Sequence, residues 1–497
     1  MIGVEEVRLL QSEELPDACT SALAEGGRMQ MAYAWWPDSK TLELRYLLSR
    51  AVPGPFAMWR CRPAGPVPSL APICPLLGWY EREIADLFGL EFVGHPEPHR
   101  LVLREGALPV LPPLDPDYPP DAAVVVDQNR RFIPEIAGAV ADVQELPFGP
   151  IRADVTESAE FLFYYIGEAI LHYQPRLFFK HRGMEKRFQG LMPGPAVVLA
   201  ERVSGVGSLA HALAYCQAVE TASGCTVPPR AQWLRVLLAE LERLYNHLHY
   251  LGHLAHTTTL KVGEAEGKLL EERVKQLNAR LTGSRFLRSV LIPGGLRRDL
   301  APQNWLADAL DRLRPKIDGY THRLANTDSH LDRLITTGVL DRRTAFDQGA
   351  TGPVERGSGL DRDLRRNHPY AAYAELGVAV PVREAGDAHA RFEVRIAEID
   401  AGLDLIRQVL KGLPDGPVCA ECVPPPGAEG LGWCESPRGA LFYAVHFDHD
   451  GRLARVKIKS PSFSNWRAFP FTVHETNMMD YAISEASFGL TIAGCDR

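Results

Sequence analysis

Three histidines, His249, His253 and His256, recur at i, i+4 and i+7, which lines imidazoles along one helical face and could bind zinc or copper. The same residues also read as a polar edge on an otherwise buried leucine-rich helix, so ligation stays open. Cys419, Cys422 and Cys434 form C-x2-C-x11-C in a Gly/Pro-rich stretch, a partial zinc pattern. It needs a fourth ligand, which His446 could supply, although nothing in the spacing compels it. The alternative is reduced, partly buried thiols. Near the front of the chain, Glu81, Arg82, Glu83 and Asp86 fall within a helix and a half, so Arg82 is expected to pair with Asp86 at i, i+4 on a solvated face.

Positioning these groups takes two kinds of domain. LELRYLLS, from Leu42 to Ser49, alternates like a strand, and Trp79 to Phe88 has apolar residues at helical spacing, which predicts an α+β domain over residues 1–104. Between Arg104 and Arg130 the prolines 109, 112, 113, 116, 119 and 120 predict a stiff, extended linker over 105–130. Beyond it, residues 131–497 read as a mainly α domain with small β elements. Helices are expected over Glu157 to Tyr173, Ala231 to His256, Glu264 to Leu281 and Ala388 to Leu410. LFYAVHF and RLARVKIKS, separated by DHDG, predict a hairpin near the end of the chain.

The composition excludes several function classes. With 54 basic and 62 acidic residues the formal net charge is −8, the opposite of the basic face that nucleic acid requires. No uninterrupted apolar run approaches the roughly 18 residues that span a bilayer. The first twenty residues carry acids where a secretory signal would be basic and then apolar, so a cytoplasmic, reducing location is expected. Nine cysteines at irregular spacing form no disulfide framework.

The ordered motifs carry a family resemblance. GWYEREIADLFGLEFVGHPEPHR, from Gly78, resembles the small hydrophilic subunit of respiratory complex I and its relatives in membrane-bound hydrogenases. LPFGPIRADVTESAEF from Leu146, HRGMEK from His181, ERVSGVGSLAHALAYCQAVE from Glu201, ELERLYNHL from Glu240, TGSRFLRSVLIPGG from Thr282 and TGPVERGSGLDRDLRRNHPY from Thr351 resemble the large subunit shared by complex I and the nickel-iron hydrogenases. The combination is most similar to the fused large subunit of formate-hydrogenlyase-type hydrogenases.

That resemblance implies a metal site and then argues against its retention. Hydrogenases of this family hold nickel with four thiolates from two CxxC pairs. Here Ser204 and Gly207 stand at the upstream ligand positions and Thr491 and Gly494 at the downstream ones, with Cys495 one place out of register. Hydroxyls and glycine do not replace soft sulfur donors, so no nickel-iron centre and no other cofactor is expected in this chain. Complex I relatives use the vacated cavity for quinone, with a histidine where this sequence has Arg152, which cannot release its proton at neutral pH. Thr257 stands where that family has an acid. His181, Arg182 and Glu185 remain, and the resemblance makes Glu185 the best candidate for a proton relay, since a buried carboxyl has a raised pKa. An ordinary i, i+3 pair of Glu185 with Arg182 is the alternative. Arg202 and Asp496 are further candidates for lining the cavity.

The implied function is a hydrophilic-arm subunit of a membrane-bound redox or ion-translocating complex, peripheral at the cytoplasmic face of the inner membrane. Its implied partners are an iron-sulfur small subunit and antiporter-like membrane subunits. The alternatives are a non-catalytic scaffold for the iron-sulfur partner and an active hydrogenase or NADH-quinone oxidoreductase-type large subunit.

Overall fold

The computed structural model describes residues 4–50, 52–119, 121–127, 142–151, 157–302, 305–474 and 476–497. Its first part is α+β, as expected. Strands β1 (Val4–Leu9), β2 (Arg28–Trp35), β3 (Glu43–Ser49) and β4 (Phe56–Cys61) form a sheet in the order β1-β4-β3-β2. β1 runs parallel to β4 and the other pairs are antiparallel. Helices α1 (Leu15–Ala24) and α2 (Gly78–Phe88) complete this part.

α2 is not the solvated helix that its charges suggest. Glu81, Glu83 and Asp86 are all buried. Asp86 accepts from the backbone N–H groups of Leu101, Val102 and Leu103 at 2.8–3.1 Å, while Arg82 donates to the carbonyls of His99 and Arg100, so the predicted Arg82–Asp86 pair is not formed. A loop whose backbone donors have no strand partner needs acceptors, and the buried Asp86 supplies them. The Pro-rich stretch, expected as a stiff, extended linker, makes backbone hydrogen bonds of its own. Leu114 N–H donates to the carbonyl of Leu87 at 2.9 Å, and Ala107–Leu108 pairs antiparallel with Val125–Val126, so the described part of this segment folds back onto the first domain.

In the second part the predicted helix over Glu157 to Tyr173 is instead a hairpin. β5 (Gln144–Phe148), β6 (Glu160–Ile166) and β7 (Ala169–Arg176) form a three-stranded sheet. The aromatic run Phe161, Phe163, Tyr164 and Tyr165 suits a pleated surface, and Gly167 at φ 59° opens a two-residue turn that L side chains resist.

The other predicted helices are present, within a residue to three of their expected ends. After α3 (Met184–Arg187) and α4 (Pro193–Ala200) come α5 (Ser208–Ser223), α6 (Pro229–Thr257), α7 (Lys261–Thr282), α8 (Trp305–Leu324) and α9 (Ala388–Gly412). The leucine stripe of α6 is fully buried. Among the described residues no single helix is long and apolar enough to cross a membrane; α4 and Gly205–Ser223 satisfy that test only as a pair bent by 115°.

The predicted terminal hairpin is β9 (Gly439–Phe447) and β10 (Leu453–Lys459), with β8 (Glu429–Ser436) added as a third antiparallel strand. α5 lies directly on β8. A Cβ at Gly432 would fall 2.0 Å from the carbonyl oxygen of Ala214, so glycine is what allows the approach. The first domain docks on the other side of this sheet, where Trp35 stacks on His446 at 4.1 Å and Arg45 donates to Glu429 at 2.5 Å. The chain ends in α10 (Pro461–Ala468), α11 (Tyr481–Phe488) and α12 (Ile492–Asp496).

Candidate functional site

The last turn of the chain, the 202–207 loop and the HRGMEK segment meet at one place. Arg182 joins them: its guanidinium donates to the carbonyls of Arg202 at 2.8 Å, Val203 at 2.6 Å and Ala493 at 3.2 Å. Its own N–H donates to the carbonyl of Arg497 at 2.9 Å. His181 Nδ1 donates to the Asp496 carbonyl at 2.7 Å, and Lys180 N–H donates to Asp496 Oδ2 at 2.9 Å. Glu157 accepts from the N–H groups of Ile492 and Ala493 at 2.6 and 3.2 Å, which satisfies the first turn of α12.

Four small residues face one another inside this junction. The hydroxyls of Ser462 and Thr491 lie 3.0 Å apart. A Cβ built on Gly494 would lie 2.4 Å from Thr491 Oγ1, 3.5 Å from Ser462 Oγ and 3.6 Å from Ser204 Oγ. Ser204, Thr491 and Gly494 are therefore brought together, although they come from opposite ends of the second domain. Gly207, the remaining expected position, ends the short 3-10 turn Gly205–Gly207 that leads into α5. Ser462 is a member of the group that its sequence context does not announce.

Glu185 lies next to this junction, but with partners other than Arg182. Arg455 reaches it at 2.6 Å, Arg497 at 3.1 Å and Lys457 at 3.3 Å, and the N–H of Ile458 donates to it at 3.1 Å. Lys457 and Arg497 also contact Glu83 of α2, at 2.7 and 3.1 Å. Five buried charges, two acids and three bases, thus join the first domain, α3, β10 and the chain end. The expectation of a raised pKa for Glu185 is reversed: burial pushes it up, but Lys457, Arg455 and Arg497 together hold it well below the usual carboxylate range. The alternation of Arg455, Lys457 and Lys459 along an otherwise apolar strand was the available signal for buried acid partners.

The carboxyl that burial does raise is Asp496. It is fully buried and is pushed up to about 7 by loss of solvent, against the backbone N–H groups of Lys180 and Phe178, and its Oδ1 has no hydrogen-bond partner among the described residues. Cys495 is also buried, and burial with the neighbouring Asp496 drives its thiol well above the ordinary value. Arg152 lies outside the described residues. Thr257 donates to the carbonyl of Leu254 at 2.8 Å in the last turn of α6.

The other candidate clusters are separated. Cys434 is buried on β8 and accepts from the hydroxyl of Tyr370 at 3.4 Å, Cys419 is exposed, and Cys422 contacts Ser223 at 2.9 Å. His446 pairs in register with Glu429, five strand positions from Cys434, or about 16 Å at the usual rise, so the two cannot share one ion. The three histidines of α6 stand in line, with ring centroids 6.4 and 6.3 Å apart and planes 7° from parallel. Glu271 accepts from His249 at 3.0 Å and Glu264 from His256 at 2.9 Å. Among the described residues no three His, Cys, Asp or Glu side chains are grouped to hold a metal ion.

Comparison with known proteins matches this layout. Residues 10–124 match the family described as the 30 Kd subunit of respiratory-chain NADH dehydrogenase, and residues 269–426 and 420–497 match its 49 Kd subunit. Residues 182–269, which hold the HRGMEK segment from Arg182 onward and the 202–207 loop, match the nickel-dependent hydrogenases. The chain is 32% identical to formate hydrogenlyase subunit 5 of Escherichia coli, over 86% of this chain and 77% of that protein. It is 31% identical to the fused C/D component of NADH-quinone oxidoreductase from Gluconacetobacter diazotrophicus, over 87% of this chain and 79% of that protein. A solved chain of an archaeal membrane-bound sulfane sulfur reductase superposes with a TM-score of 0.68 at 29% identity, over 72% of this chain and 99% of that one. The buried junction and its two-domain frame thus belong to an oxidoreductase lineage, and the chain is a member of the family that unites the fused 30 Kd and 49 Kd-type subunits of complex I with the large subunits of membrane-bound nickel-dependent hydrogenases.

Proposed function

We propose that this chain is a hydrophilic-arm subunit of a membrane-bound redox or ion-translocating complex and that it works without a nickel-iron centre. The observation that carries this reading is the seam of Ser204, Ser462, Thr491 and Gly494. Three neutral hydroxyls face the place where thiolates are needed, and hydroxyls are poor donors for a soft metal site. A side chain at 494 would press on Thr491, whose hydroxyl lies 2.4 Å from a Cβ built there and would have to shift. Cys495, the one thiol on this turn, is buried and kept protonated. These residues do not fit the nickel-iron group, and its chemistry is not assigned to them.

In this reading the proton-carrying group is Asp496, and Glu185 is a positioning residue. Asp496 is poised between its two charge states near neutrality and retains one unsatisfied oxygen, while His181 holds its backbone. Glu185 stays ionised and locks Arg455, Lys457 and Arg497 around the chain end. A change of charge at Asp496 would be felt by Arg497, the next residue, and through it by Glu83 in the first domain. The relatives named for formate hydrogenlyase and NADH-quinone oxidoreductase, and the sulfane sulfur reductase described as an archaeal respiratory membrane complex, support a place beside an iron-sulfur subunit and antiporter-like membrane subunits, at the cytoplasmic face of the inner membrane.

Elemental analysis of the intact purified complex, with an assay of hydrogen uptake, tests the first claim; stoichiometric nickel bound by this chain would overturn it. Asp496→Asn in the same complex tests the second. Ion translocation is expected to fall with assembly intact, whereas an unchanged rate would leave the chain as a scaffold for its partners.

A further inference from the structure

A cavity of about 130 Å³ lies between the first domain and the 349–368 segment, away from the junction described above. Arg28, Gln30 and Ser49 form one wall, and Arg362, Glu435 and Lys459 lie on the other. Four carboxylates border it, and each is paired with an arginine, some of them shared with other acids. Glu355 pairs with Arg28 at 2.6 Å, Asp361 with Arg366 at 2.7 Å, Asp363 with Arg365 at 2.7 Å and Glu435 with Arg356 at 3.1 Å.

Two cations are left over. Arg362 sits 5.2 Å over the ring of Phe346, and its guanidinium has no hydrogen-bond or ion-pair partner among the described residues. Lys459 is 3% exposed; among the described residues its ammonium makes one hydrogen bond, to the carbonyl of Ala440 at 2.9 Å, and lies 5.3 Å over the ring of Phe442, so two of its three donor positions have no hydrogen-bond acceptor there. A buried ammonium and a mostly enclosed guanidinium that form no direct ion pair among the described residues are costly unless an anion joins them. Burial and Arg28 lower Arg362 to about 10 and Lys459 to about 7 despite Glu355, and for Lys459 also Glu435, acting the other way, the direction in which a bound anion would act too.

We propose that this cavity binds a small oxyanion, held by the guanidinium of Arg362 and the ammonium of Lys459 at the joint between the two domains. The two cations supply charge-assisted donors from one wall, and the hydroxyl and amide side chains of Ser49 and Gln30 face them from the opposite one. The size excludes a nucleotide or a peptide and admits a single phosphate, sulfate or carboxylate group.

The test is equilibrium binding of inorganic phosphate, sulfate and acetate to the full chain, at an ionic strength held constant with sodium chloride. One saturable site per chain is expected, weakened at least tenfold by Arg362→Gln and by Lys459→Met and unchanged by Arg407→Gln, which removes an exposed pair with Asp311 outside the cavity. Binding of all three anions would assign a general oxyanion site, and binding of phosphate and sulfate alone would assign a tetrahedral one. Absence of saturable binding, or equal binding by the wild type and Arg362→Gln, would overturn the proposal and leave the cavity to water. Arg362 is partly exposed, so its variant decides the matter even if Lys459→Met does not fold.

Discussion

Arg455 donates to Glu185 at 2.6 Å across 270 positions of sequence, and this pair fastens the strand next to the first domain to the short helix that follows His181 and Arg182. Both side chains are at least nine-tenths buried. Lys457 and Arg497 share the same carboxylate, so its negative charge holds three cations out of water.

Glu185→Gln should therefore destabilise the chain by about 3–5 kcal/mol at neutral pH, because it strands buried cations. The folded pKa of Glu185 is depressed, so its contribution is present above the unfolded value near 4.3 and is lost as pH falls toward the folded one. Urea melts at pH 7 and pH 3 check this: the gap between wild type and variant should narrow at the lower pH. An equal gap at both would show that Glu185 acts by shape rather than charge.

Asp496 has the opposite sign. Its folded pKa is raised to about 7, so the folded state binds a proton that the unfolded chain has released. Stability from this group is complete below about pH 4 and falls as pH rises to about 7, at up to about 1.4 kcal/mol per unit. Asp496→Asn should flatten that part of the profile, read as melting temperature against pH from 4 to 8. A slope unchanged by the substitution would assign the titration to another buried carboxyl, such as Glu242, which is also raised to about 7 by burial.

Much of this frame was legible in the sequence. Leucines at helical spacing placed α6, and alternation placed β9 and β10, because both are amphipathic or buried elements whose period survives in the residue types. The hairpin at 160–176 was not legible, since a helical periodicity over Glu157 to Tyr173 coexists with a β-prone aromatic run and only the turn at Gly167 decides between them. In the seam, Ser204, Thr491 and Gly494 were singled out by motif register, whereas Ser462 was not. It belongs to a different segment and reaches the group only because α10 packs on α12. The buried state of Glu81, Glu83 and Asp86 was also hidden, because their partners Ser69, Lys457 and the 101–103 backbone are distant or carry no charge signal.

The seat of α5 on β8 depends on Gly432, whose missing side chain leaves the Ala214 carbonyl in direct contact with the strand. Gly432→Ala should cost about 1–3 kcal/mol or more, since neither a helix carbonyl nor a strand backbone can turn aside as a side chain can. Urea denaturation of the variant checks it. A loss below about 0.5 kcal/mol, the range of ordinary surface changes, would mean that α5 can lift off the sheet without penalty.

Gly494 and Thr491 should be energetically coupled. Alanine at 494 puts a methyl group 2.4 Å from Thr491 Oγ1, inside any normal contact, so Gly494→Ala alone should destabilise by about 1–3 kcal/mol. Thr491→Ala removes that oxygen and forfeits its bond to Ser462, at about 1 kcal/mol. The double variant should then be more stable than the sum of the two losses predicts, by about 0.5–3 kcal/mol, the range seen for side chains in contact. Strict additivity would mean that position 494 has space that the hydroxyl seam does not fill. The chain end would then sit loosely enough to admit a larger donor, and the argument against a thiolate at this position would lose its steric half while keeping its chemical one.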